Sequence, residues 1–296
     1  MLRRHFGLGI LSIAVMPRAN AAVRETEGPL LHLAARGRAR VFIFGFGGAK
    51  DDSWLTPRIR DALEASSELW LEVSQEPAPG PDAAAQREKL THDPAGRSFF
   101  DVLDPQVRAR AIDYCAQLGI APEKLAQQRP WSAFYTINGA YWSQHKPSFE
   151  PQNPDETLLK MAKKAGKSIH YEMRDQLEFA RFMAAMPDAA QSQYIRFLLD
   201  FLDDQAAGPI PGEFDWTRGD TTIGERAVDR MRSRTPDLYQ IMQVQRNAWW
   251  AETIDRLLTT GGTHFIGIGQ MHVLGPDGIV SQLLRRGIVE RTKLTV

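Results

Sequence analysis

The stretch VFIFGFGGAKDDSWLTPRIRDALEASSELWLEV, residues 41–73, decides the fold class. Its first four residues form a continuous apolar run, which is typical of a buried strand. Thr56 and Pro57 then begin a helix, with the threonine as N-cap and the proline at the first helical position. Residues 69–73 form a second strand. A strand, a helix and a strand in so short a stretch are a βαβ unit and indicate a parallel pair of strands.

The rest of the chain extends this unit into one α/β domain. Residues 167–171 and 264–268 are predicted to be two further strands, and the aromatic-rich residues 129–153 are predicted to be irregular. Helices are predicted at 84–127 with interruptions, 154–166, 174–205 with a break at Pro187, 220–233, 236–260 and from Ile279 onward. No linker separates two domains, so we expect a single domain over residues 22–296. Its architecture would be a small central mixed or parallel sheet with many helices and a large helical insertion between the strands.

The composition excludes several classes of protein. The chain has 296 residues with 36 basic and 36 acidic side chains, so no net field favours nucleic acid as a partner. A single cysteine, Cys115, excludes an intrachain disulfide and a thiolate metal cage. No apolar run reaches the roughly 18 residues of a membrane span. Complete G-x-G-x-x-G, H-E-x-x-H and G-x-S-x-G motifs do not occur, so the signatures of dinucleotide binding, zincins and α/β-hydrolases are missing.

The first 21 residues have the order of a secretory signal peptide. Arg3 and Arg4 give a positive start, residues 7–16 are the apolar stretch GLGILSIAVM, and an Ala-Asn-Ala pattern ends at Ala21. We therefore predict cleavage after Ala21 and a periplasmic or secreted protein, the alternative being a buried N-terminal helix. The two arginines partly match a twin-arginine signal, so both this route and the general secretory route stay open.

Polar side chains near the ends of predicted strands are the candidates for chemistry. Glu72 and Glu172 lie in strands, where a carboxylate needs a partner or access to solvent because burying an unpaired charge is costly. His170 lies two residues before Glu172 and so shares its face of the strand. His272 follows the last strand, where a structural histidine and a ligand are equally expected. Arg246 falls in the apolar arc of its helix and therefore needs a carboxylate or an anion as partner.

Motifs in a fixed order along the chain resemble those of the TraB/GumN family, which includes the Tiki proteins. The first family signature is a strand with G-x-x-H, a proline-containing helix and a strand ending in glutamate. The last is W-x-x-G-D, an arginine–asparagine helix and G-x-x-H-x-x-G. The corresponding segments here are residues 41–74, RPWSAF at 129–134, GKSIHYEM at 166–173, Trp216 with Gly219 and Asp220, Arg246 with Asn247, and GQMHVLGPDG at 269–278.

This resemblance implies hydrolysis that depends on a divalent metal, either Mn, Co or Zn. On this hypothesis His272 is a metal ligand, and Glu72 and Glu172 are metal ligands or the general base. Arg246 would steady a carboxylate or the oxyanion that develops during the reaction.

One position departs from the family pattern. Gly48 stands where the first histidine belongs, and glycine has no side chain with which to bind a metal. His170 substitutes for this ligand if its strand neighbours the first predicted strand, which begins at Val41. Two functions therefore stay open: an exported, peptidase-like metal-dependent hydrolase with an unknown substrate, and a non-catalytic protein that has no cofactor and binds a ligand or a partner in the cell envelope.

Overall fold

The fold is a mixed sheet surrounded by helices, which confirms the predicted α/β class. The computed structural model describes residues 28–145, 152–208 and 210–288, so the predicted signal peptide lies outside the described residues. The five strands of the described sheet are β1 (Leu31–Arg36), β2 (Ala39–Phe46), β3 (Glu68–Val73), β4 (Ser168–Met173) and β5 (Thr263–Gly269).

The strands follow the spatial order β1-β2-β5-β3-β4. β2, β5, β3 and β4 run parallel, and β1 pairs antiparallel with β2 at one edge. The predicted pairing within the βαβ unit is wrong in one respect, because β5 lies between β2 and β3. The segment HFIGI of β5 is buried throughout, and a parallel strand that is buried on both faces belongs in the centre of a sheet. β1 was not predicted, since LHLAAR is short and only partly apolar and depends on its pairing with β2.

Helices fill the connections between the strands. The set consists of α1 (Pro57–Ala65), α2 (Ala83–Thr91), α3 (Phe99–Val102), α4 (Pro105–Gln117), α5 (Pro122–Leu125), α6 (Pro130–His145), α7 (Pro154–Lys164), α8 (Gln176–Ala184), α9 (Asp188–Ala206), α10 (Thr222–Arg234), α11 (Pro236–Tyr239), α12 (Arg246–Thr260), α13 (Gln270–Val273) and α14 (Ile279–Arg285). The break predicted at Pro187 separates α8 from α9. None of the helices in the described ranges is both long and apolar enough to cross a membrane.

The sequence predicts irregular structure over residues 129–153, of which residues 146–151 lie outside the described residues. The helix α6 takes its place over Pro130–His145. Pro130 occupies the start of the helix, where the missing N–H costs no hydrogen bond. Ile137 and Tyr141 are buried in a cluster with side chains of α9. This packing outweighs the modest helix propensity of aromatic residues, which is why the local sequence was misleading.

The stretch predicted as one helix over residues 236–260 has three parts. A π-helical segment, Gln240–Gln245, separates α11 from α12. Short π-helical segments inside α-helices are rare and frequently occur at functional sites. Arg246 is the first residue after this π-helical segment.

The sheet is covered by helices on both faces. Side chains alternate along β2, so Val41 and Ile43 pack with Trp250 of α12 and Leu283 of α14 on one face. On the other face, Phe44 belongs to a cluster that includes residues of α1 and α7. Both faces are therefore closed, and the carboxyl ends of the parallel strands remain as the edge at which a site can form.

Candidate functional site

Four of the five predicted site residues meet at the carboxyl edge of the sheet. Glu72 and Glu172 lie at equivalent positions near the ends of the neighbouring strands β3 and β4. His272 lies in α13, directly after β5, and Arg246 begins α12. We call Glu72, Glu172, Arg246 and His272 the carboxyl-edge network. The sequence placed each of them near a strand end or on a buried helix face, and the parallel strands bring them together.

Arg246 lies between the two glutamates and links them. Its Nε donates to Glu172 Oε1 at 2.7 Å, and its Nη2 donates to Glu172 Oε2 at 2.6 Å and to Glu72 Oε2 at 2.9 Å. The side chains of Arg246 and Glu172 are only 7% and 8% exposed. Burial acts to lower the pKa of Arg246, but the hydrogen bonds and charges of the two glutamates raise it above its ordinary value. The buried arginine thus has the carboxylate partners that its helix face required.

Glu72 is the member of the network with most access to solvent, at 25% of its side chain. Its Oε1 accepts a hydrogen bond of 2.7 Å from the Gly269 N–H, and its Oε2 lies 3.3 Å from His272 Nε2. Burial acts to raise the pKa of Glu72, but His272, Arg246 and the Gly269 N–H together hold it well below its ordinary value. The carboxylate therefore stays ionised.

Asn247 orients His272, and sequence reasoning missed this role. The Asn247 side chain is fully buried, and its Nδ2 donates to the Asp277 carbonyl oxygen at 2.9 Å. That bond turns Oδ1 toward His272 Nδ1, which lies 2.7 Å away. Because Oδ1 can only accept, Nδ1 carries the proton of this bond and Nε2 faces Glu72. The available signal was a second polar residue beside Arg246 on a buried helix face, since a buried amide needs partners.

Trp250 is the other residue that sequence reasoning did not assign to the site. It lies one helical turn after Arg246, its ring is fully buried, and its Nε1 donates to Glu172 Oε2 at 3.0 Å. With this bond, both oxygens of Glu172 accept hydrogen bonds from buried donors. Glu172 is thereby fixed in place, with both of its oxygens engaged by residues of the protein.

His170 lies apart from the network. Its ring stacks on Trp70 with centroids 4.5 Å apart, and its Nε2 lies 3.7 Å from Glu68 Oε2. Glu68 also binds His264 Nδ1 at 2.9 Å. Two residues along a strand correspond to about 6–7 Å, so sharing a face with Glu172 does not bring His170 to the carboxyl edge.

The donor atoms of the network do not fit a divalent metal ion. Both oxygens of Glu172 are engaged by Arg246 and Trp250, so Glu72 and His272 are the remaining side chains of ligand type. Zinc sites in proteins use three or four protein ligands. Gly48 supplies none, and its carbonyl oxygen accepts a 2.8 Å hydrogen bond from Trp216 Nε1. Across residues 28–145, 152–208 and 210–288, no group of three histidine, cysteine, aspartate or glutamate side chains converges as a metal site would require.

A cavity of about 730 Å³ lies beside the network, and we call it the carboxyl-edge cavity. It is bounded by the turns that follow β2 and β5 and by helices α6, α9 and α10. Pockets of this size hold small molecules in other proteins. Its lining includes Gly48, Phe134, Trp142, Phe197, Phe201, Phe214, Gln270 and Met271.

Comparison with known proteins gives one match. The model of a family described as the TraB/PrgY/gumN family matches residues 31–291, which includes every element from β1 to α14. No curated protein and no solved structure matches the chain.

Proposed function

The chain belongs to the TraB/PrgY/gumN family, and from this premise we propose that it is an exported member that binds a ligand in the cell envelope and has lost metal-dependent hydrolysis. One observation carries the proposal. The network offers two side chains of ligand type that are not already engaged, where a zinc site uses three or four. By the resemblance to the family pattern, Gly48 stands where a further histidine ligand is expected.

The network supports a binding site in a second way, by fixing the wall of the carboxyl-edge cavity. Gly269 is held by Glu72, and His272 is held by Asn247. Gln270 and Met271 lie between these two anchored residues and line the cavity. The buried charges would thus serve to hold this turn in one conformation, since a fully hydrogen-bonded polar network rigidifies its surroundings.

We predict that Gly48→His restores a metal site. Gly48 follows β2, which pairs with β5, and it lines the cavity together with Gln270 and Met271 next to His272. A histidine there adds a third donor to Glu72 and His272. Affinity for Mn²⁺, Co²⁺ or Zn²⁺, measured by calorimetric titration, should rise about 10- to 100-fold, equivalent to about 1.4–2.8 kcal/mol.

The control for this titration is the double variant Gly48→His/His272→Ala. It should lose the gain, because ligands that share one ion act together. His272-dependent binding of comparable strength in the wild-type protein would contradict the proposal, since two donors would then suffice for a site.

Export gives an independent prediction. The order of charge, apolar stretch and Ala-Asn-Ala pattern over residues 1–21 supports removal of this segment during transport. Protein recovered from the envelope fraction of the native host should begin near Ala22 when its N-terminus is determined by mass spectrometry. Full-length protein that keeps Met1 and stays in the cytosol would contradict localisation in the envelope.

Hydrolysis is the second candidate function, and one observation favours it. Glu72 keeps a quarter of its side chain exposed while its carboxylate remains ionised beside His272. An ionised carboxylate that water can reach is able to act as a general base. Turnover of a peptide or ester that is abolished in a Glu72→Gln variant, under conditions where circular dichroism shows the variant to be folded, would favour this candidate over a binding role.

A further inference from the structure

Five aromatic side chains contribute to the largely apolar walls of the carboxyl-edge cavity. Trp142 and Phe134 come from α6, Phe197 and Phe201 from α9, and Phe214 from the segment before α10. Aromatic faces stack on other rings and bind them more strongly than their buried area alone accounts for. The walls therefore favour an occupant that carries rings.

Most charges in the lining are already paired within the protein. Asp204 forms an ion pair with Arg230, and Asp200 binds Arg110 at 2.8 Å and Arg234 at 3.3 Å. An ionic ligand in this part of the cavity would have to break such a pair or lose its hydration without a counter-charge. These pairs therefore favour an uncharged occupant.

Two further charged residues line the cavity. Glu213 is half-buried, and burial raises its pKa while the positive charge of Lys50 acts in the opposite direction. Arg226 is exposed to solvent. Glu213 thus has a compensating cation near it and Arg226 is already hydrated, so neither presents a dry, unpaired charge to the interior.

Two side-chain amides line the cavity, those of Asn138 and Gln270. Asn138 Oδ1 accepts a hydrogen bond of 3.1 Å from Trp142 Nε1, so its acceptor is engaged within α6. The second amide, that of Gln270, faces two glycines. A Cβ atom on Gly47 would lie 2.9 Å from its Nε2, and one on Gly224 would lie 2.9 Å from its Oε1, so the two glycines leave a slot that the amide fills. The backbone N–H of Leu274 donates to the Gln270 carbonyl oxygen, whereas the side-chain amide has no hydrogen bond from any residue in the described part of the chain. The amide is therefore held in position and keeps its donors and acceptor for a ligand.

We propose that the carboxyl-edge cavity binds an uncharged small molecule that carries aromatic rings and one hydrogen-bonding group, which meets the amide of Gln270. This inference rests on the proposed binding function and names the chemical class of its ligand. It follows from five aromatic side chains in an apolar lining, from paired charges and from the positioned amide of Gln270.

The probe for this inference is N-phenylnaphthylamine, a neutral dye with two ring systems, one N–H and fluorescence that increases on burial. Its matched charged analogue is anilinonaphthalene sulfonate. The mature protein should bind the neutral dye with a stoichiometry of one and at least about tenfold more tightly than the sulfonate. Equal affinities, or tighter binding of the sulfonate, would overturn the assignment to an uncharged ligand.

Variants locate the dye within the molecule. Ala227→Phe places a ring in the cavity from α10 and should weaken binding of the neutral dye by about tenfold or more. Ala116→Phe makes the same change at an exposed position of α4 and should leave the affinity unchanged. The proposal would be overturned if the Ala227→Phe variant folds, as judged by circular dichroism, and binds the dye with the same affinity as the wild type.

If the Ala227→Phe variant fails to fold, a second measurement shows whether the dye binds in the carboxyl-edge cavity. Trp142 lines the cavity, and tryptophan emission excites the bound dye by energy transfer. Trp142→Phe should reduce this sensitised emission, and no reduction would place the dye elsewhere and overturn the proposal. The metal titrations test the binding function separately, because a wild-type metal site would leave the dye results unchanged.

Discussion

Arg246→Leu should lower the free energy of unfolding by about 3–5 kcal/mol, because it leaves two neighbouring carboxylates without the cation that links them. Arg246 binds Glu172 through two nitrogens and Glu72 through one, inside a site where it is itself buried. Leucine keeps much of the apolar volume of the arginine side chain, so the loss of unfolding free energy measures the removal of the positive charge. Urea unfolding measured by circular dichroism gives the value directly.

The matched control is an arginine whose ion pair is exposed. Arg36 binds Asp255 at 2.7 Å, and both side chains are more than two-fifths exposed. Exposed pairs contribute up to about 1 kcal/mol, so Arg36→Leu should cost no more than that. Similar losses for the two variants would show that the network is not a buried charge cluster.

The effect of Arg246→Leu should also depend on pH. The folded protein holds the pKa of Glu72 below its ordinary value, so this group stabilises the fold above the unfolded-state pKa of about 4.3 and loses that contribution as the pH falls further. The advantage of the wild type over the variant should therefore be full at neutral pH and shrink below about pH 4. An advantage that stays constant down to acid pH would mean that the loss comes from packing.

Trp250→Ala is expected to cost about 3–5 kcal/mol of unfolding free energy, the usual range for removing a fully buried tryptophan. The ring lies in the core between α12 and the sheet, and its N–H also satisfies Glu172. Trp250→Phe should restore most of the packing and leave only the loss of a hydrogen bond to a charged group, about 1.5–3 kcal/mol.

The adjacent residue serves as the comparison. Trp249 is 36% exposed and touches Trp250 edge-on, with ring centroids 5.0 Å apart. Trp249→Ala should cost about 0.5–1.5 kcal/mol, the value of an aromatic pair. If thermal and urea unfolding gave equal losses for the two tryptophans, the burial of Trp250 and its bond to Glu172 would not explain its contribution.

The sequence singled out the four side chains that converge at the carboxyl edge but not the pairing among them. Strand ends and a buried helix face were enough to single out Glu72, Glu172, Arg246 and His272, because each observation depends on local pattern alone. The hydrogen bonds between the Arg246 nitrogens and the oxygens of the two glutamates depend on the register of β3 with β4. They also depend on the π-helical segment before Arg246. Both are features of the tertiary structure, which the hydrophobic periodicity of the sequence does not predict.

His170, the predicted site residue that lies apart from the network, also shows how far a local sequence pattern can predict a site. His170 and Glu172 share a face of β4, and the alternation of a strand predicts that correctly. Their depth in the sheet differs, and the neighbours on β3 decide the outcome: His170 stacks on Trp70, while Glu172 lies beside Glu72 and Arg246. The strand order that supplies these neighbours is set by crossovers between distant parts of the chain.

The central position of β5 has a consequence for how the protein is made. Phe265 of β5 pairs with Phe42 on one side and with Leu69 on the other, so two segments that leave the ribosome early are joined only through one that leaves it late. Until that strand arrives, β2 and β3 have open edges that can pair with other chains. Contacts of such high sequence separation make folding slow, because a long loop must close before they form. Synthesis of β5 is thus the event that permits the sheet to close.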